Sequence, residues 1–145
     1  MKILFIGTSG VHHVLIAAHL FLAGNELSDI FLSPGFADMK LEQAGYPIYI
    51  GAKSDAKEVY VLGVGHEVQM AKRALNDLIT ILGFSKSDLL VVPIAIKGER
   101  LITLISKLPP LLGFVHRFTV KVLIKWQLET VSRQVEAISG YLYNR

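Results

Sequence analysis

Apolar and polar positions along this chain fall into short continuous runs separated by glycine-bearing turns. Ile3 to Ile6 is an unbroken apolar run, as is Leu89 to Pro93, and Glu58 to Leu62 is nearly so. Runs of that length without polar alternation predict strands covered on both faces, as in a parallel sheet. Pro47 to Ile50 alternates and lies one polar turn, Lys53 to Lys57, before the Glu58 run, so the two are expected to form a local hairpin. Between the runs the spacing becomes helical. His12 to Leu22 carries no charged residue and should be largely buried, with Gly24-Asn25 as its stop. After His66 an amphipathic helix runs to about Leu82. It places Val68, Ala71, Leu75, Leu78 and Leu82 on one side and Lys72, Arg73, Asn76 and Asp77 on the other, with Gly83 as its cap.

Two stretches read less sharply. Ser33-Pro34-Gly35 marks a turn, and Ala37 to Ala44 suits a short helix with Asp38, Lys40 and Glu42 exposed. Beyond Ile94, a helix beginning near Leu101 must end at Pro109-Pro110. The segment from Val115 or Phe118 to Ile124 alternates and is expected to be a strand. Trp126 to Tyr143 is a closing helix with Leu128, Val131, Val135 and Ile138 on its apolar face. Alternating strands and helices define a single α/β domain over residues 1–145. The expected architecture is a three-layer, Rossmann-like sandwich around a mostly parallel sheet of roughly five strands, with one hairpin.

Composition narrows the function classes. Of 145 residues, 52% are hydrophobic and 19% charged, an apolar balance for so short a chain, so a homodimer that hides surface is expected. No apolar run reaches the roughly 18 residues of a membrane span, the apolar start breaks at Gly7 without a signal-peptide pattern, and a cytoplasmic location is expected. The absence of cysteine excludes disulfides, thiolate metal sites and cysteine nucleophiles. Charge is uneven: residues 1–96 hold 7 Lys/Arg against 9 Asp/Glu, whereas residues 97–145 hold 8 against 3. The basic residues of the last third are dispersed, with little aromatic interleaving beyond Trp126, which disfavours nucleic acid. That third, with Lys107, Arg117, Lys121 and Lys125 among apolar residues, suits instead an interaction module resting on a partner or an anionic surface.

The chemistry-bearing residues gather at strand–glycine–helix junctions. Gly7-Thr8-Ser9-Gly10-Val11-His12-His13 follows the first strand, and its glycines, hydroxyls and helix N-terminus suit a phosphate or other anion. The loop lacks the GK[ST] ending of a Walker loop, the GxGxxG dinucleotide fingerprint and the GxSxG context of a serine nucleophile. His12 is the candidate proton-transfer residue, because consecutive helical positions diverge by about 100° and His13 shares its stripe with Ala17 and Leu20. His19 reads as a core histidine. The second junction, Gly63-Val64-Gly65-His66, repeats the pattern, so Gly65 and His66 are expected to face the same crevice as His12 if the two strands are neighbours. Lys97 and Arg100 are candidates to neutralise the ligand from a third loop. No metal is expected, since no spacing such as HExxH occurs, and the sequence names no cofactor.

Taken together, the opening strand with Gly10-x-His12 and its alanine-containing helix, the Glu58-Val59-Tyr60-Val61-Leu62-Gly63 strand leading to a helix ending at Gly83, and the Leu89 to Val92 strand resemble a bacterial family of small proteins known as a domain of unknown function. In that family small hydroxyl residues follow the histidine, where this chain has His13 and Val14, and His66 lies outside the pattern. The resemblance implies an α/β fold and no activity. Gly7 to His12 also looks like the opening of two-lobed nucleotide-sugar glycosyltransferases, of which a domain this size would form one lobe.

Overall fold

The computed structural model describes residues 1–23, 31, 33, 35–53, 57–85, 87–99, 101, 104 and 113–143. Its elements are β1 (Lys2–Gly7), α1 (His13–Ala23), α2 (Met39–Gln43), β2 (Ile48–Lys53), β3 (Lys57–Gly63), α3 (Val68–Ile81), β4 (Leu89–Pro93) and α4 (Gly113–Tyr143). Four strands form one mixed sheet in the order β2-β3-β1-β4. β1 lies parallel to β3 on one side, with Phe5 opposite Val61, and parallel to β4 on the other, with Phe5 opposite Val92. β2 pairs antiparallel with β3, the expected hairpin, with an irregularity between Tyr49 and Gly51.

The uninterrupted apolar character of β1 follows from its central place. Ile3 and Phe5 face one layer, where Val14, Ile16, Ala17 and Phe21 of α1 meet Val120, Ile124 and Val131 of α4. Leu4 and Ile6 face the other, packing with Leu75 and Ile79 of α3. All four β1 side chains are at most 5% exposed, and burying each contributes about 2 kcal/mol. α1 is buried along most of its length, from His13 through Phe21, as its uncharged sequence requires. α3 turns a slightly different face inward than expected, for Ile79 is buried while Leu78 and Leu82 are exposed. It ends in a Schellman arrangement: Gly83, at φ +75, donates to the Thr80 carbonyl and Phe84 to that of Ile79.

The fifth strand expected over residues 115–124 is instead the opening of α4. His116, Val120 and Ile124 recur every fourth residue and are all buried, so helical burial outweighs the β-branched composition that produced the alternation. The closing helix expected from Trp126 therefore begins at Gly113. The stop at Gly24-Asn25, most of the helix expected after Leu101, and Pro109-Pro110 lie outside the described residues. Among the described residues, no helix is long and apolar enough to cross a membrane.

Candidate functional site

β1 and β3 end side by side, with Gly7 opposite Gly63. From there their connections diverge, to α1 on one face of the sheet and to α3 on the other. In open α/β sheets such a divergence opens a crevice at the carboxyl ends of the strands. Here the two loops come close. A Cβ on Gly10 would stand 2.7 Å from the Gly63 nitrogen, and one on Gly7 would meet Val14 and lie 2.7 Å from His13 Nε2. The Val64 amide donates to the Gly7 carbonyl at 2.9 Å, tying the loops together.

The amides of the loop just before α1 converge on one acceptor. Gly10 N–H and Val11 N–H both donate to Glu42 Oε2, at 2.9 and 3.2 Å. α1 has no acidic residue in its first turn, so a carboxylate 32 positions away supplies the negative charge that a helix N-terminus favours. Gly63 makes room for it, since a Cβ there would strike Glu42 Oε1 and stand 2.8 Å from its Cδ. Burial raises the Glu42 pKa, opposed by the Val11 and Gly10 amides and by the Ser9 hydroxyl. Glu42, expected on an exposed face of the short helix, is thus partly buried in the crevice. The expectation failed because its partners come from a distant loop that local spacing does not reveal.

Around this cradle the loop leaves buried polar atoms that, among the described residues, have no hydrogen-bond partner: Thr8 Oγ1, both ring nitrogens of His12 and His13 Nδ1. His12 and His13 are wholly buried and Ser9 is 8% exposed. The His12 ring meets His116 of α4 edge-on, 5.1 Å between centroids. Burial, then the neighbouring His116 and His13, holds the His12 pKa down at about 3. His13 is lowered to about 4 by burial, against a contact from Nε2 to the Ile94 carbonyl at 3.3 Å that favours the charged form. Glu99 Oε1 lies 3.6 Å from the same nitrogen and accepts the Ile96 amide at 3.0 Å. Both imidazoles are accordingly neutral at physiological pH.

The remaining candidates lie apart from this buried cluster. Gly65, at φ +69, and His66 form an exposed turn, and a Cβ on Gly65 would meet nothing within 4 Å. β1 and β3 are neighbours, as a shared crevice requires, yet His12 packs on His116 while His66 stands in solvent. Lys97 is exposed beside Gly98, and Arg100 lies outside the described residues. His19 is half-buried, with its pKa lowered by that burial. Among the described residues no three His, Asp or Glu side chains converge on a metal-binding point. Two surface depressions, of about 280 and 450 Å³, open at the far end of the sheet, beside Phe21, Lys53 and Lys57.

Glu42, His116 and Glu99 had no signal in the sequence. Gly63 was visible as a junction glycine, but its part in admitting a carboxylate was not.

The molecule is an α/β protein with one open, four-stranded mixed sheet and a glycine loop closing on a helix N-terminus. It belongs to the family described as protein of unknown function DUF3189, which matches residues 2–139. Comparison with curated proteins returns no match, and comparison with solved structures returns none. The resemblance to a domain-of-unknown-function family therefore holds across nearly the whole chain, whereas the likeness to glycosyltransferases finds no support.

Proposed function

We propose that the Gly7–His13 loop binds the anionic group of a small phosphorylated or nucleotide-like ligand. The observation that carries this reading is the pair of amides, Gly10 and Val11, converging on a single carboxylate oxygen. Backbone N–H groups at a helix N-terminus bind phosphate by the same geometry. The unpartnered hydroxyl of Thr8 supports it, because leaving a buried polar group unpaired costs about 1–3 kcal/mol that a ligand oxygen recovers. A neutral His12 offers one ring N–H and one lone pair, the equipment for handing a proton to or from a ligand oxygen. Titration calorimetry against nucleotides, sugar nucleotides and simple phosphate esters tests the reading. Binding weakened about tenfold by His12→Ala, equivalent to about 1.4 kcal/mol, is expected. No affinity across the panel, or affinity indifferent to that substitution, overturns it.

A second reading rests on α4. Phe114, Phe118 and Trp126 are 76%, 69% and 81% exposed, and the exposed Arg117, Lys121 and Lys125 interleave with them, with no acidic residue before Glu129. Aromatic and basic side chains together on one helix suit an anionic lipid surface. Co-sedimentation with phosphatidylserine vesicles, lost in Phe118→Ser/Trp126→Ser, is expected on this reading. A protein that ignores such vesicles, or a dimer that buries these residues in light scattering, argues against it.

A further inference from the structure

We infer that Glu42 is a resident competitor for the anion cradle, holding the place of the ligand's phosphoryl group and leaving on the α2 arm when that group binds. The inference rests on the anion-binding reading of the Gly7–His13 loop and adds how the site is kept closed and how it opens. An ordinary N-cap comes from the residue just before the helix and bonds within the first turn. Here the acceptor arrives from another element 32 positions on, and it reaches the Gly10 and Val11 amides through space that Gly63, at the end of a different strand, keeps open.

The carboxylate fits that space incompletely. It satisfies two amides and is met by the Ser9 hydroxyl, but among the described residues it leaves the buried Thr8 Oγ1 without a partner. Its pKa is raised because burial outweighs the amide bonds, so the charged form is held at a cost. A phosphoryl group carries more acceptor oxygens and more charge than a carboxylate, and it can meet the amides and the hydroxyls together.

The arm is built to move. α2 is five residues long and buries no side chain, and its own cap is local, Asp38 Oδ1 accepting the Lys40 amide at 2.9 Å. It hangs between Phe36, which is 2% exposed and anchored in the core, and the start of β2. Besides Glu42, a bond from the Ala37 amide to the Val11 carbonyl at 2.9 Å links this region to the loop. Swinging Met39–Gln43 outward therefore exposes little apolar surface, the property of segments that open locally at low free energy.

Amide NMR of Gly10 and Val11 during titration with inorganic phosphate provides the test, on the full chain and on Glu42→Ala and Glu42→Gln. Glu42→Ala is expected to bind phosphate at least tenfold more tightly than the unmodified protein, with Glu42→Gln between them. In the unmodified protein, saturating phosphate is expected to accelerate hydrogen exchange over residues 39–44. Equal phosphate affinity in all three proteins, or exchange unchanged by phosphate, makes Glu42 a permanent cap and overturns the inference while leaving the anion site standing. Phosphate that shifts neither amide in any of the three removes the anion site and the inference together.

Discussion

The β1–α1 and β3–α3 junctions begin from the same pattern, an apolar strand, two glycines, a histidine and a helix, yet they become opposite environments. At the first, His12 and His13 are wholly buried and the Gly10 and Val11 loop amides meet a carboxylate from a third element. At the second, His66 is exposed, Gly65 has open space around it, and the N-cap residue of α3, Glu67, makes no side-chain cap bond. The difference lies in what packs over each helix start. α1 begins beneath α4, with His116 against His12, and beside α2, which supplies Glu42. Among the described residues, α3 has no such cover on its turn. A repeated local pattern thus fixes backbone geometry, while the third and fourth elements decide which copy becomes a buried polar site.

The sharpest way to break this comparison is to add the same methyl group to both loops. Gly10→Ala places a Cβ 2.7 Å from a backbone nitrogen and should cost about 3 kcal/mol, the upper part of the overpacking range. Gly65→Ala meets open space and should cost about 1 kcal/mol, from its left-handed backbone at φ +69 alone. Urea denaturation midpoints measure both, and equal costs would erase the distinction.

Acid should also find the first junction. The His12 and His13 pKa values fall from 6.5 in the unfolded chain to about 3 and about 4 in the folded protein. The unfolded state therefore binds more protons between these limits, so stability rises with pH there. The contribution of each ring is complete above pH 6.5 and is lost as pH falls below it, at about 1.4 kcal/mol per pH unit. Unfolding free energies measured at pH 6.5, 5.75 and 5.0 should show this slope, reduced by one ring's share in His12→Asn. A flat profile would mean the rings find proton partners after all. The smallest effect belongs to the second junction, where His66→Ala should change stability by no more than about 0.5 kcal/mol in the same assay. A larger loss would place His66 in a contact of structural weight.

What could be read in advance follows from range. β1, β3 and β4 were legible because a strand covered on both faces needs an apolar side chain at nearly every position, as Ile3 to Ile6 shows. The β2–β3 hairpin was legible because its partners are near in sequence. The Phe118 to Ile124 segment was misread because Thr119, Val120 and Val122 favour strands locally, whereas tertiary packing of His116, Val120 and Ile124 made a helix. The same limit applied to the site. The glycine loop announced itself, but Glu42 sits in an unremarkable stretch of mixed polarity, and only the fold brings it to Gly10. The expected split between His12 and His13 rested on helical spacing alone, whereas His12 packs on His116 of α4, His13 reaches the Ile94 carbonyl, and both are buried.

The central position of β1 sets an order on the making of this protein. β1 pairs with residues 58–63 and with residues 89–93, and among the described residues it has no strand partner nearer in the chain. At a synthesis rate of about 5–20 residues per second, roughly 5 to 20 seconds pass between translation of β1 and translation of β4. β1 has two open edges until residues 58–63 emerge and one until residues 89–93 follow, and throughout it lacks the α4 segment that will cover Ile3 and Phe5. The nascent chain is then most exposed to wrong pairing and to chaperone capture, and the sheet closes in a late step once Leu89 to Pro93 has left the ribosome.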